Sequence, residues 1–173
     1  GTGSGAVAVG VGLHRRRDLA AAGYPPDSID TVLCTHLHVD HVGWNTTLAG
    51  GEWVPTFTKA RYVFGKDEYD HWAAHSPAGE HRAVFEDSVR PIVARGLAVL
   101  VASDHRLCEE VSLISTPGHT PGHMSVLIRS DGEEAVLTGD VAHHPCQMAH
   151  LDWSSTADSD PVQSIETRRR LFS

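Results

Sequence analysis

The 173-residue sequence contains little cysteine and no long apolar run. Its three cysteines, Cys34, Cys108 and Cys146, are widely spaced without a Cys-x-x-Cys pair, which disfavours a disulfide framework and a thiolate zinc cage. The longest apolar stretch, 97–102, is far shorter than the ~18 residues of a membrane-spanning helix, so we expect no membrane partner. Sparse cysteine and the absence of a basic N-terminal signal segment favour a cytoplasmic protein. Because the sequence does not begin with Met, secretion remains an alternative.

Basic charge is also scarce. Fourteen Lys and Arg face 22 Asp and Glu, which gives a net charge of −8. A nucleic-acid-binding module has a basic surface, so we expect no nucleic-acid partner and no nuclease activity. The two arginine triplets, Arg15–Arg17 and Arg168–Arg170, are too short to reverse this balance. We interpret both triplets as solvated helix faces.

Short apolar runs alternate with helical patterns, and this alternation predicts a mixed α/β fold. The length fits a single domain over 1–173. Pro91 should kink or end a helix predicted over 80–95. Asp160-Pro161-Val162-Gln163 has the features of a helix start, with a capping Asp and Pro at the first position. Strands are predicted at 6–9, 29–35, 60–64, 97–102, 111–115, 124–129 and 135–138, and helices at 15–22, 66–74, 80–95 and 160–171.

Histidine is abundant, with 13 residues, and imidazole is the commonest metal ligand in proteins. The segment His36-Leu37-His38-Val39-Asp40-His41 directly follows the strand predicted over 29–35. In extended chain, residues i and i+2 share a face ~6.6 Å apart. His36 and His38 can therefore converge on one ion with bonds of ~2.0–2.1 Å. Asp40 and His41 follow after the chain turns and could face a second ion beside the first.

Two further clusters stand at predicted strand ends, where mixed α/β folds gather functional loops. Thr116-Pro117-Gly118-His119 follows the strand 111–115, and Thr138-Gly139-Asp140 follows the strand 135–138. Each places a ligand-type residue beside a glycine that permits a tight turn. The two clusters are therefore candidates for further metal ligands.

These three motifs, with His119-Thr120-Pro121-Gly122-His123 among them, resemble the metallo-β-lactamase superfamily and occur in the order typical of it. Two segments, 42–45 and 140–145, resemble the branch that contains lactonases, esterases and methyl-parathion-type hydrolases. The resemblance implies an αββα sandwich with a dinuclear site. It also implies one further histidine late in the chain, but none follows His150, and only 35 residues precede His36. We therefore expect a partial domain, truncated at both ends.

The resemblance implies a ligand set, a reaction and roles for single residues. A hydroxide formed at two divalent ions would attack a small ester or lactone. Zinc suits the mixture of His and Asp ligands, and iron, manganese or cobalt are the alternative metals. Organophosphate or β-lactam hydrolysis, or an inactive partial fold, are the alternatives. The implied ligands are His36, His38 and His119 for the first ion, Asp40 and His41 for the second, and Asp140 as a bridge.

Asp40 and Asp140 are also the candidate catalytic residues, and Asp40 would orient the nucleophile. Candidate substrate-binding residues are His143, His144 and Trp44. The partner would be a small molecule, and a homodimer is a further hypothesis. We interpret His123 as structural. Four histidines outside these clusters, His71, His75, His81 and His105, are expected to lie on the surface.

Overall fold

The computed structural model describes residues 7–8, 15–75 and 80–173. The chain divides into two compact units. The first unit contains the described residues up to Phe64 together with Trp72–Leu100, and the second contains Gly65–His71 and Val101–Ser173. Both units combine strands with helices, so the α/β class is confirmed. Among the described residues, no helix has the length and apolar character needed to cross a membrane.

The first unit is built on a four-stranded sheet of order β1-β2-β5-β6, to which a separate hairpin, β3-β4, is added. Strands β1, β2 and β5 run parallel, with Val32 opposite Tyr62. All three residues of β2 are buried, as expected for a parallel strand covered on both faces. The strands are β1 (Val7–Ala8), β2 (Thr31–Leu33), β3 (Thr46–Ala49), β4 (Glu52–Pro55), β5 (Arg61–Gly65) and β6 (Ala98–Val101).

The predicted helix over 80–95 is broken in two at Val89. Pro91 has no backbone N–H and would disrupt a continuous helix, but it fits the first turn of a new one. The helices of the first half of the chain are α1 (Arg15–Ala21), α2 (Val39–Val42), α3 (Lys66–His75), α4 (Glu80–Ser88) and α5 (Arg90–Ala94), with a 3-10 turn at Pro26–Ser28. The strand predicted at 6–9 is present at Val7–Ala8, and its remaining positions lie outside the described residues.

The β3-β4 hairpin was not predicted. Its two strands are joined by Gly50 and Gly51, which have φ angles of 61° and 87°. Two glycines with positive φ form the tight turn whose twist suits a two-residue hairpin. The Gly-Gly pair between two short runs was therefore the signal that could have located this element.

The second unit contains an antiparallel sheet of order β7-β8-β9, formed by Val111–Ser115, Met124–Ser130 and Glu133–Leu137. Asp131 and Gly132, with φ angles of 51° and 82°, turn the chain between β8 and β9. This turn was predicted from Ser130-Asp131-Gly132. A 3-10 turn at Gly139–Val141 and two helices, α6 (Cys146–Ala149) and α7 (Pro161–Phe172), follow the sheet.

Helix α7 begins where its sequence predicted. The Asp160 side chain accepts a hydrogen bond from the backbone N–H of Gln163 at 3.0 Å, which caps the first turn. The interpretation of the second arginine triplet as a solvated face is wrong for Arg168, which is 0% exposed, whereas Arg169 and Arg170 are exposed. Burial of Arg168 is possible because backbone and side-chain oxygens surround its guanidinium. The side chains of Arg15–Arg17 lie outside the described residues.

Candidate metal centre

The first ligand cluster lies in the first unit and comes from one short segment after β2. His36 is fully buried, and its Nδ1 lies 3.1 Å from the hydroxyl of Thr35. Its Nε2 lies 3.2 Å from Nδ1 of His38. Because Thr35 occupies one nitrogen of His36, the other nitrogen faces His38. The two imidazoles predicted to converge are adjacent.

His41 and Asp40 lie in the short helix α2, for which His38 is the N-terminal cap residue. The ring of His41 is tilted against that of His36, with centroids 4.0 Å apart. The exposed carboxylate of Asp40 lies 3.4 Å from Nε2 of His41. The helical turn therefore brings His41 back onto His36 and leaves Asp40 at the surface of this cluster.

The second cluster lies in the second unit and combines His119, Asp140 and His143. Oδ2 of Asp140 lies 3.6 Å from Nε2 of His119 and 3.5 Å from Nε2 of His143. A tetrahedral zinc ion with bonds of ~2.0–2.1 Å separates its ligand atoms by about 3.3–3.4 Å. Each of the three residues offers one ligand atom, all within 4.8 Å of one another. Their chemistry and spacing therefore fit a divalent metal ion.

His119 is buried, with 2% exposure. Burial lowers the pKa of its imidazole below the usual value, and the nearby carboxylates of Asp140 and Asp158 oppose that effect. The lowered pKa favours the neutral ring, which is the form that ligates a metal. Asp158 lies 3.3 Å from Nδ1 of His119, on the opposite side of the ring from Asp140. Nδ1 is thus occupied, while Nε2 faces Asp140.

His123 contacts this cluster through the backbone of Asp140. It is fully buried, and its Nδ1 lies 2.9 Å from the hydroxyl of Thr116. Its Nε2 accepts a hydrogen bond from the backbone N–H of Asp140 at 3.1 Å. Both ring nitrogens therefore contact protein groups, which agrees with the structural interpretation of this residue.

The predicted substrate-binding residues have different surroundings. His143 is exposed and contacts the Asp140 carboxylate, as described above. His144 is also exposed, and its Nδ1 accepts a hydrogen bond from the backbone of Cys146 at 3.2 Å, within its own turn. Trp44 lies in the first unit, half-buried, with its ring 6.4 Å from that of Phe57. Among these three predicted residues, His143 is the one with a described contact to a candidate metal ligand in the same unit, namely Asp140.

Sequence reasoning missed two buried carboxylates, Asp158 and Glu68. Glu68, 1% exposed on α3, accepts hydrogen bonds from the hydroxyl of Thr120 at 2.7 Å and from the backbone of Gly122 at 3.0 Å. A Cβ on Gly122 would lie 2.2 Å from the backbone nitrogen of Glu68. The loop after His119 therefore packs directly on α3. Both carboxylates are remote in sequence from the motifs they support, so no local pattern marked them.

His81 is exposed, as predicted, but it packs against other aromatic rings. Its ring stacks on Trp72, with centroids 5.2 Å apart and planes at 27°. It also lies 6.1 Å from the ring of His38. Helices α3 and α4 bring these aromatic rings beside the first cluster, and a single-sequence pattern does not show that pairing.

Cys34, just before the first cluster, is not a reactive thiol. It is buried, and burial raises its pKa to about 12 although a contact with the Asn45 side chain opposes the effect. A thiol of such high pKa stays protonated near neutral pH and is a poor nucleophile and metal ligand. The chemistry of this region therefore rests on imidazole and carboxylate groups.

The sequence profile of the metallo-beta-lactamase superfamily matches residues 2–171, and the chain belongs to this superfamily. N-acyl homoserine lactonase AiiA of Bacillus thuringiensis subsp. kurstaki is 29% identical over 120 residues, which cover 69% of this chain and 40% of that protein. The match therefore spans less than half of the curated relative's length.

Solved structures share the fold. The hydrolase AbOPH of the beta lactamase superfamily superposes with a TM-score of 0.82 at 28% identity, over 99% of this chain and 64% of that one. AidC, described as a dizinc quorum-quenching lactonase, superposes with a TM-score of 0.75 at 20% identity, over 95% of this chain and 62% of that one. The predicted metallo-β-lactamase fold is thereby confirmed.

Proposed function

We propose that this chain is part of a metal-dependent hydrolase that cleaves a small ester or lactone at a site with two divalent ions. In this proposal both units belong to one metallo-β-lactamase domain, since the superfamily profile runs through both. The lactone is favoured because a relative that matches over 69% of this chain is named an N-acyl homoserine lactonase. A homodimer stays a separate hypothesis.

The ligand assignment follows the motifs and is a proposal for every residue. Zinc is the proposed metal because the donor set consists of imidazole nitrogens and carboxylate oxygens. The proposed ligands are His36, His38 and His119 for one ion, Asp40 and His41 for the other, and Asp140 for both.

The observation that carries this proposal is the spacing within the second cluster. Oδ2 of Asp140 lies 3.6 Å from Nε2 of His119 and 3.5 Å from Nε2 of His143, and these spacings fit ligand atoms around one metal ion. In an ordinary exposed ion pair, His119 would not need to be almost completely buried. Its burial lowers the pKa of the imidazole and so favours the neutral ring. The first cluster adds a second pair of facing nitrogens, 3.2 Å apart in His36 and His38.

When bound, the ions would polarise the substrate carbonyl and lower the pKa of water. The protein would supply orientation. In the proposal, the exposed Asp40 carboxylate accepts a proton from the attacking water and aligns it. The His143 imidazole is the candidate donor to the substrate oxygen, because it is exposed beside Asp140. Asp140 keeps its backbone fixed through the hydrogen bond from its N–H to His123.

The proposal is tested by metal analysis and substrate assays on the purified chain. We expect two equivalents of zinc, and hydrolysis of a γ-lactone or aryl ester that is lost on dialysis against a chelator and restored by zinc. The His119→Ala variant should lose both the metal and the activity. His105→Ala is the matched control, because His105 is exposed and lies outside the cluster of its unit.

The same assay separates the alternatives. A phosphotriester or a β-lactam cleaved faster than every ester and lactone would replace the proposed substrate class. One metal equivalent or fewer, without turnover of any substrate, would favour an inactive partial fold. Activity that persists in His119→Ala or after complete metal removal would contradict the proposed site.

A further inference from the structure

Asp158 is a buried carboxylate that contacts a candidate ligand. Its side chain is 0% exposed. Oδ1 lies 3.3 Å from Nδ1 of His119, and Oδ2 accepts a hydrogen bond from the backbone N–H of Ser155 at 3.1 Å. A buried carboxylate is costly unless it is paired and hydrogen-bonded. Oδ2 also lies 3.5 Å from the guanidinium of Arg168, which supplies the opposite charge.

Arg168 is itself fully buried, and its guanidinium faces four acceptors. Its Nε donates to the carbonyl of Leu151 at 3.0 Å, and one terminal nitrogen donates to the carbonyl of Val141 at 3.1 Å. The other terminal nitrogen donates to the hydroxyl of Ser154 at 3.2 Å. The planar fork of arginine, with five N–H donors in fixed directions, suits such a set of acceptors. One side chain thus joins three segments of the second unit.

Helix α7, which carries Arg168, packs against the loop that carries His119 without free space. Thr167 donates from its hydroxyl to the carbonyl of Pro117 at 2.6 Å. Gly118 has a φ of 133°, and a Cβ at this position would lie 2.4 Å from the backbone nitrogen of Ser164. The position of Arg168 relative to His119 is therefore set by direct contact between helix and loop.

We propose that Arg168 is a positioning residue for the candidate metal centre. It fixes Asp158, so that Asp158 holds the proton of His119 on Nδ1 and leaves Nε2 as the ligand atom. Through the carbonyl of Val141, it also restrains the backbone next to Asp140. The ligand roles of His119 and Asp140 in this inference rest on the proposed function. The network of Arg168, Asp158 and His119 itself requires no metal.

Lysine is a poor substitute in this network. Its ammonium is a single point charge and cannot reach all the acceptors that the guanidinium spans. Arg168→Lys should therefore keep the charge opposite Asp158 but lose part of the positioning, and it should fall between the wild type and Arg168→Met in every measurement below.

The first test reads the tautomer of His119 in the metal-free protein by ¹⁵N NMR of the histidine rings at pH 8, where imidazole is neutral. The signal is assigned by its absence from His119→Gln. We expect the proton of His119 on Nδ1 in the wild type. Asp158→Asn should move the population toward the Nε2–H form, and Arg168→Met should give a mixture. A wild-type ring protonated on Nε2, or a ring unchanged by both substitutions, would overturn the inference.

The second test measures zinc affinity by competition with a chromophoric chelator, together with the visible spectrum of the cobalt-substituted protein. Loss of a partner that orients a metal-bound histidine typically lowers metal affinity by about 10–100-fold. We expect a loss in that range for Arg168→Met and for Asp158→Asn, with a changed cobalt spectrum. Arg169→Met is the matched control, because the neighbouring Arg169 is exposed, and it should behave as wild type.

A buried arginine can be needed for folding alone, so Arg168→Met is combined with Asp158→Asn. Removal of both charges avoids an unpaired buried charge and should restore the melting temperature of the metal-free chain in part. If the folded double variant binds zinc and absorbs with cobalt like the wild type, Arg168 acts only in folding, and the inference is wrong. A wild-type chain that binds no zinc would contradict the proposed function, while the NMR result would still decide the role of Arg168.

Discussion

The two ligand clusters are built in different ways. The first occupies six consecutive residues, His36–His41, directly after β2, and its internal contacts follow from the local course of the chain. The second combines His119, Asp140 and His143, and its support comes from Asp158 and from α7. One cluster is local in sequence, and the other exists only when distant segments pack together.

This difference predicts different sensitivities. The local cluster requires a strand end and one helical turn, so substitutions elsewhere should affect it little. The second cluster depends on close packing, because α3 contacts the loop at Gly122, and α7 contacts it at Gly118. Core packing transmits small changes because protein interiors are dense and have few voids. Substitutions far from the ligands should therefore disturb the second cluster first.

The largest expected effect comes from removal of a proposed ligand in either cluster. Loss of a residue that only orients a metal ligand lowers metal affinity by up to ~100-fold. His36→Ala and His119→Ala should each lower zinc affinity by more than that. Chelator competition on the purified variants measures this. If only one of the two variants loses affinity, the proposed assignment of His36 and His119 to one ion is wrong.

Gly122→Ala should give the next largest effect. The new Cβ would lie 2.2 Å from backbone nitrogen of α3, which cannot move aside like a flexible side chain. We expect at least about 3 kcal/mol of lost stability, the upper end for overpacking. Urea unfolding measures it, and Gly43→Ala beside the first cluster is the control, because its Cβ would meet an oxygen only at 3.2 Å. Equal losses for both would refute the contrast between the clusters.

Asp160→Ala should destabilise the start of α7 by a smaller amount. It removes the oxygen that accepts from the backbone of Gln163, and the loss of such a cap costs about 1 kcal/mol. Gln163→Ala keeps the backbone donor and should cost less. Thermal unfolding compares the two variants. A larger loss in Gln163→Ala would mean that side-chain packing, rather than the cap, holds the start of this helix.

The smallest expected effect is the change of stability with pH that comes from His119. Burial lowers the pKa of this imidazole, but the nearby carboxylates of Asp140 and Asp158 partly oppose that shift. The pKa of His119 is lower in the folded than in the unfolded chain, so the unfolded state binds the proton more readily. Its contribution to stability is complete above the unfolded value of about 6.5 and is lost as pH falls from there toward the folded pKa. Urea unfolding of the metal-free chain between pH 7.5 and 5.5 should show a smaller decline in His119→Gln than in wild type.

Much of the architecture was predictable because it follows from short-range rules. Strand β7 was located to the residue, and α7 was expected from its capping Asp160 and Pro161. The predicted helix around Pro91 was correctly marked for interruption. The hairpin β3-β4 was not predicted, although its turn also follows a short-range rule, because Gly50 and Gly51 both adopt positive φ angles.

Burial was less predictable than secondary structure. Arg168 stands in a triplet of like charges, and such a triplet normally faces solvent, yet the first arginine is enclosed. Nothing in the triplet distinguishes Arg168 from Arg169. The distinction is made by acceptors at Leu151, Val141 and Asp158, which reach the guanidinium only through tertiary packing.

The amino-acid sequence by itself determined the elements and the chemical nature of the donors, since helix caps, turns and a six-residue ligand motif are read over short distances. Tertiary structure alone decided which carboxylate stands behind His119 and which arginine is buried. Such pairings join residues tens of positions apart, and no local preference of the chain encodes them. They arise because a buried charge is stable only where the fold provides its partners.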